Sequence, residues 1–219
     1  RLSNMSALTD GLNPNQLAAV KHEGSPLLVV AGAGSGKTRV LTRRIAYLLA
    51  ERNTAPFEVL AITFTNKAAG EMKERVAELV GARAKSMWVS TFHSACVRIL
   101  RKEASLLGYT NSFTIYDQSD SLRLITLIMR DMNIDEKRYA PRAIASIISQ
   151  AKNELMGPAD YLNQAKDHFQ EIVAQVFEIY QKRLSSANSM DFDDLISKTV
   201  EVLQRFPEIK AKYRSRFRH

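Results

Sequence analysis

The sequence predicts an α/β fold in which a parallel sheet is interrupted by an all-helical insertion. Two patterns predict it. Short apolar runs alternate with amphipathic helical stretches over residues 1–115, and from Asp117 onward the helical period stands nearly alone. Charge divides at the same place: residues 1–115 hold 15 Lys and Arg against 8 Asp and Glu, whereas residues 116–209 hold 11 against 15, and the last ten add five basic groups and no acidic one.

Taken in order, residues 27–31 form an apolar run after Gly24-Ser25-Pro26, and a glycine-rich turn precedes Leu41, Ile45, Leu48 and Leu49 at helical spacing. That is a strand, a loop and a helix. Residues 59–64 repeat the strand after Pro56, and Ala69, Met72, Val76 and Leu79 give the next helix one apolar face, closed by Gly81. A third round puts a strand at 88–92 and a helix through Cys96, Ile99 and Leu100, ending near Gly108. Strands that alternate with helices imply parallel pairing with right-handed crossovers. Helical periods then run through Leu122, Ile125, Ile128, Met129 and Met132, and through Ile144, Ile147, Ile148, Ala151 and Leu155, where Gly157-Pro158 breaks the pattern. A long helix through Phe169, Ile172, Val173, Val176, Tyr180 and Leu184 ends in the polar stretch 185–189, and Asp191 is the expected N-cap of a last helix carrying Leu195, Ile196, Val200 and Leu203.

A chain of 219 residues, 45% hydrophobic and 25% charged, has enough apolar material for a packed core, which excludes whole-chain disorder. The formal net charge of +8 points to a polyanionic partner. No apolar run approaches the roughly 20 residues of a membrane span, and residues 1–10 lack the apolar core of a signal peptide, so the expectation is a cytoplasmic protein with no membrane partner. The single Cys96 offers neither a disulfide nor a metal cluster.

Ala31-Gly32-Ala33-Gly34-Ser35-Gly36-Lys37-Thr38 lies between the first expected strand and helix, where backbone N–H groups freed by glycines can converge on phosphate oxygens. Lys37 would meet the β- and γ-phosphates, and the Thr38 hydroxyl would take a position on Mg²⁺. A ligand-free glycine turn is the bland alternative. Phosphate binding alone also leaves open a small-molecule kinase, a GTPase or a motor. The remaining strand ends discriminate, because in a parallel sheet Thr63-Phe64-Thr65-Asn66-Lys67 and Ser90-Thr91-Phe92-His93 open on the edge that carries the phosphate loop. Their hydroxyls, amide and lysine suit phosphates and sugars, and two Phe rings offer a sequence-tolerant platform for unpaired bases. Either ring alone would serve equally as core. His93 and Cys96, three apart on a helix, lack the oxyanion donors and third member of a nucleophilic site.

At these residues the sequence resembles the UvrD/PcrA/Rep family of superfamily-one DNA helicases, the PcrA/UvrD proteins most. The resemblance runs through essentially the whole chain. It implies a RecA-like P-loop sheet, incomplete here, with an all-helical inserted subdomain; ATP and Mg²⁺ as cofactors; single-stranded DNA and single-strand/duplex junctions as partners; and three-prime to five-prime movement powered by ATP hydrolysis. Leu12-Asn13-Pro14-Asn15-Gln16 resembles the adenine-reading segment, so Gln16 would hydrogen-bond the base, and Arg39 would sit near the nucleotide with Gly32, Ala33, Gly34, Ser35, Gly36, Lys37 and Thr38. Ala61-Ile62-Thr63-Phe64-Thr65-Asn66-Lys67-Ala68-Ala69 matches the first single-strand motif, which gives DNA contacts to Thr63, Phe64, Thr65 and Asn66, with Phe64 stacking. Ser90-Thr91-Phe92-His93-Ser94 resembles the next, which gives them to Thr91, Phe92 and His93. In Met190-Asp191-Phe192-Asp193-Asp194-Leu195, Phe192 would reach the same strand, and the carboxylates would be caps and structural contacts.

By the same resemblance, residues 1–115 are the first part of the RecA-like ATP-binding domain, 116–190 the helical inserted subdomain, and 191–219 the return into that domain, ending before the strand that carries the family's Asp-Glu pair. With its carboxylates in excess, the insertion would touch duplex only locally, with Lys137-Arg138 or Lys152-Asn153 as candidates and a solvated helix face as the alternative for each. No acidic residue follows a second apolar strand, so the chain alone is expected to bind nucleotide and single strand without turnover. A monomer is expected, in a bacterial cytoplasm near the nucleoid, with repair or replication proteins as further partners.

Overall fold

The computed structural model describes residues 8–23 and 36–219, which form two compact units. The first runs up to Ala95 and takes in Ala211–His219; the second is Cys96–Lys210. The expected first strand at 27–31 lies outside the described residues. The division falls within two helices, at 95/96 and 210/211, whereas the charge pattern changes at 115/116 and at 209/210.

In the first unit, helix α1 (Pro14–Lys21) precedes α2 (Lys37–Glu51), strand β1 (Leu60–Thr63), α3 (Asn66–Val80), β2 (Trp88–Thr91) and the start of α4 (Phe92–Glu103). Strands β1 and β2 pair in parallel with Leu60 opposite Trp88 and Thr63 opposite Thr91, as the alternating pattern predicts. Gly81 ends α3 with φ at 92°, a left-handed conformation that glycine adopts without a Cβ clash. The apolar stripe of α3, Met72 and Val76, packs with Ile45 and Leu49 of α2 against Val59, Ala61 and Met87. Each such burial is worth about 1.5–3 kcal/mol. Near the C-terminus, Phe217 meets the buried Trp88 edge-on at 5.1 Å between ring centres, and the Arg216 guanidinium lies over both rings. Part of the basic tail is therefore packed against aromatic surface.

The second unit holds the rest of α4, β3 (Thr114–Tyr116), α5 (Gln118–Asp131), α6 (Pro141–Asn153), α7 (Pro158–Gln164), α8 (His168–Ser186), β4 (Ser189–Asp191), α9 (Phe192–Arg205) and the first turn of α10 (Pro207–Arg216). The helical period of α8 buries Val173, Val176, Phe177, Tyr180 and Leu184 against Ile125, Ile128 and Met129 of α5 and Ile144, Ile148 and Ala151 of α6. The sequence pattern gives no strand at 114–116 or 189–191, yet the two pair in parallel, Thr114 opposite Ser189 and Tyr116 opposite Asp191. Helices α5 to α8 thus leave and re-enter through adjacent strands. Asp191 caps α9 as expected. Lys152, expected on a surface facing duplex or solvent, is buried at 4% exposure, a correction explained by its partners below.

Candidate nucleotide and nucleic-acid sites

Gly36, the N-cap of α2, takes φ 78° and ψ 27°, and no side chain caps this helix end. The first N–H groups of a helix have no partner within it, and the dipole adds positive character, so this end suits a phosphate. Lys37 and Thr38 occupy its first two positions and are exposed, which leaves an ammonium and a hydroxyl accessible to a ligand. Gly32, Ala33, Gly34 and Ser35 lie outside the described residues.

Gln16 approaches this turn from α1. A Cβ added at Gly36 would lie 3.3 Å from its Nε2. The position follows from local sequence: Pro14 starts α1, Asn13 Oδ1 accepts from the Gln16 N–H at 2.8 Å, and Gln16 Oε1 accepts from the Asn13 N–H at 3.0 Å. That reciprocal box fixes the carboxamide beside the α2 turn. Arg39, expected near the nucleotide, donates to the Asp10 carbonyl at 2.9 Å and lies against Gly11, where a Cβ would meet its guanidinium at 2.5 Å. Arg44, which the sequence reading missed, donates to the carbonyls of Ala19 and His22 at 3.0 and 3.1 Å, closing the C-terminal end of α1. Burial pushes its pKa down. A legible signal existed, since Arg44 falls within the stripe of Leu41 and Leu48 at helical spacing.

The single-strand candidates of the first unit gather at the β1 and β2 ends. Thr63 Oγ1 donates to the Thr65 carbonyl, and Thr65 Oγ1 accepts from the Ala68 N–H as N-cap of α3, both at 3.0 Å. Thr91 Oγ1 donates to Ser94 Oγ at 2.8 Å and accepts from the Ser94 N–H. Each turn is held by a threonine. Asn66 opens α3, His93 is exposed, and the rings of Phe64 and Phe92 stand 103% and 51% exposed, so neither serves as core.

In the second unit Phe192 is 46% exposed at the first position of α9, next to a polar network whose Lys152, Tyr180, Asp191 and Asp194 are buried. Asp191 Oδ1 accepts from the Asp194 N–H at 2.7 Å, and Asp194 Oδ2 accepts from the Asp191 N–H at 3.2 Å. The remaining carboxylate oxygens both receive Lys152 Nζ, at 2.7 Å for Asp191 and 2.9 Å for Asp194. Tyr180 donates to Asp191 at 2.6 Å, and Lys152 donates to Gln181 at 2.7 Å. Burial, together with the Asp191 carboxylate, pushes the Tyr180 phenol far up, so it stays a donor. Burial also raises Asp194, against the pull of Lys152. The sequence signal for Lys152 was its place four residues after Ile148 and eight after Ile144, inside an apolar stripe.

Among the described residues no group of three or more His, Cys, Asp or Glu could hold a metal ion. No helix among them is long and apolar enough to cross a membrane.

The UvrD/REP helicase N-terminal domain matches residues 12–219. ATP-dependent DNA helicase UvrD1 of Mycobacterium tuberculosis is 59% identical over 216 residues, covering 97% of this chain and 28% of the relative. UvrD1 of Mycobacterium leprae is 58% identical over 222 residues, covering 99% and 28%, and ATP-dependent DNA helicase PcrA of Staphylococcus aureus is 50% identical over 215 residues, covering 98% and 30%. The chain spans less than a third of the length of these relatives.

Proposed function

The chain belongs to the UvrD/REP helicase family, and from that premise we propose that it is the ATP-binding and single-strand-binding N-terminal part of an ATP-dependent DNA helicase of bacterial repair or replication. The observation that carries the reading is the in-register pairing of Thr63 with Thr91, which sets two solvent-exposed rings, Phe64 and Phe92, at neighbouring strand ends.

In this reading Lys37 neutralises the β- and γ-phosphates of ATP, and the α2 N-terminal N–H groups and the residues of 32–36 receive phosphate oxygens. Bound Mg²⁺, held through Thr38, supplies charge neutralisation across the phosphates. Gln16 hydrogen-bonds the adenine edge, and Arg39, which ties the Asp10 turn to α2, lies beside the nucleotide. Phe64 and Phe92 stack on bases, each worth about 1–3 kcal/mol, while Thr63, Thr65, Asn66, Thr91 and His93 contact the backbone. Phe192 adds a further ring from the second unit.

The proposed organisation is a RecA-like domain begun by residues 1–115 and resumed at 191–219, with 116–190 as the helical subdomain that meets duplex at a junction. Lys137 and Arg138, both exposed, are its local basic candidates. A monomer in the cytoplasm near the nucleoid, moving three-prime to five-prime, completes the proposal.

Binding of a labelled oligothymidylate, in competition with a blunt duplex of equal length, tests it. Preference for the single strand is expected. Equal affinity would reduce the site to general attraction for polyanions.

A further inference from the structure

We propose that Lys152 is a positioning residue for Phe192, fixing from α6 the ring that the second unit offers to single-stranded DNA. The inference rests on the reading of Phe192 given above and adds the device that aims it.

Phe192 sits between the two partners of a capping box whose members are both carboxylates. A box normally pairs a neutral hydroxyl with an acidic or amide side chain, which leaves no charge conflict. Here Asp191 and Asp194 are 4% and 1% exposed, so two like charges would face each other without water. Each gives one oxygen to the box and the other to Lys152. The ammonium thus removes the repulsion that would open the box and anchors it to α6. Tyr180 adds a second tether on Asp191 Oδ2 from α8. The backbone of residues 191–194 is consequently tethered to two helices of its own unit, α6 and α8, and Phe192 has its Cα between the two tethered residues while its side chain is 46% exposed. Preorganising an aromatic in this way spares the cost of ordering it when a base arrives.

The test is a cycle of oligothymidylate affinities, read by fluorescence anisotropy, for the parent chain, Lys152→Met, Phe192→Ala and the double variant, with thermal melts alongside. Phe192→Ala should weaken binding about 5- to 150-fold, the range for one stacked ring. Lys152→Met should weaken the parent several-fold yet change affinity less than about twofold in the Phe192→Ala background, the non-additivity expected of two residues acting as one. Equal losses in both backgrounds, or a folded Lys152→Met that binds as the parent does, overturn the proposal. If Lys152→Met does not fold, Tyr180→Phe, which removes a single hydrogen bond, takes its place under the same criteria. Unchanged affinity of Phe192→Ala would overturn the DNA role of Phe192 itself, and the positioning role with it.

Discussion

Thr63 and Thr91 face each other on the last rung of the parallel β1–β2 ladder. Neighbouring strands lie about 4.8 Å apart, so the residues that follow, Phe64 and Phe92, begin from adjacent strand ends. Each threonine also secures its own turn, Thr63 to the Thr65 carbonyl and Thr91 to Ser94. Strand register, rather than a pocket, places the two phenylalanines at neighbouring strand ends.

Replacing Lys37 by Ala should cost nucleotide affinity without costing stability, because the side chain is exposed. A hydrogen bond to a charged group contributes about 1.5–3 kcal/mol, so a fluorescent ATP analogue with Mg²⁺ should bind about 10- to 150-fold more weakly at an unchanged melting temperature. An unchanged affinity would remove Lys37 from the phosphate site.

Single-strand affinity should fall steeply with salt. The net charge of +8 is concentrated in residues 1–115 and the tail, and releasing counterions from three or more phosphates gives a log–log slope of about −2 or steeper. A flat response in a salt titration would mean that the basic residues do not meet the DNA backbone.

Asp194 gives a pH signature. Burial holds its folded-state pKa above the ordinary carboxylate value, so its contribution to stability is fully present below the unfolded pKa of about 3.9 and is lost as pH rises through the folded value. The melting temperature of the parent, measured relative to Asp194→Asn, should therefore decline as pH rises from about 4 towards neutrality. A rising difference would show that Lys152 keeps Asp194 ionised at low pH.

Truncating Phe177 should separate core from site. It is 1% exposed among Ile128, Ile144 and Val176, and Phe177→Ala should cost about 3–5 kcal/mol in a denaturant titration. A small loss would mean that the α5, α6 and α8 core closes over the space left behind.

Much of this was legible in the sequence because one signal sufficed. Strands β1 and β2 follow from apolar runs, the end of α3 from Gly81, and helices α5, α6 and α8 from periodicity. Strands β3 and β4 were not, being three residues long, and Ser189-Met190-Asp191 reads as a polar linker. Its burial depends on a ladder with Thr114-Ile115-Tyr116 and on Lys152, 39 residues away from Asp191, which no local pattern encodes. Helix α1 was signalled by Asn13, Pro14 and Gln16, whose capping arrangement was read only as a nucleotide motif. Exposure was illegible too, since the same two Phe residues would have suited a core. Their surroundings decide it, not their identity.

The most direct measurement is the oligothymidylate affinity of Phe64→Ala. With its ring wholly in solvent, the substitution should leave the melting temperature unchanged and weaken binding about 5- to 150-fold with little dependence on base sequence. Parent-like affinity would contradict the account, because the most exposed large hydrophobic side chain among the described residues would then have no part in holding single-stranded DNA.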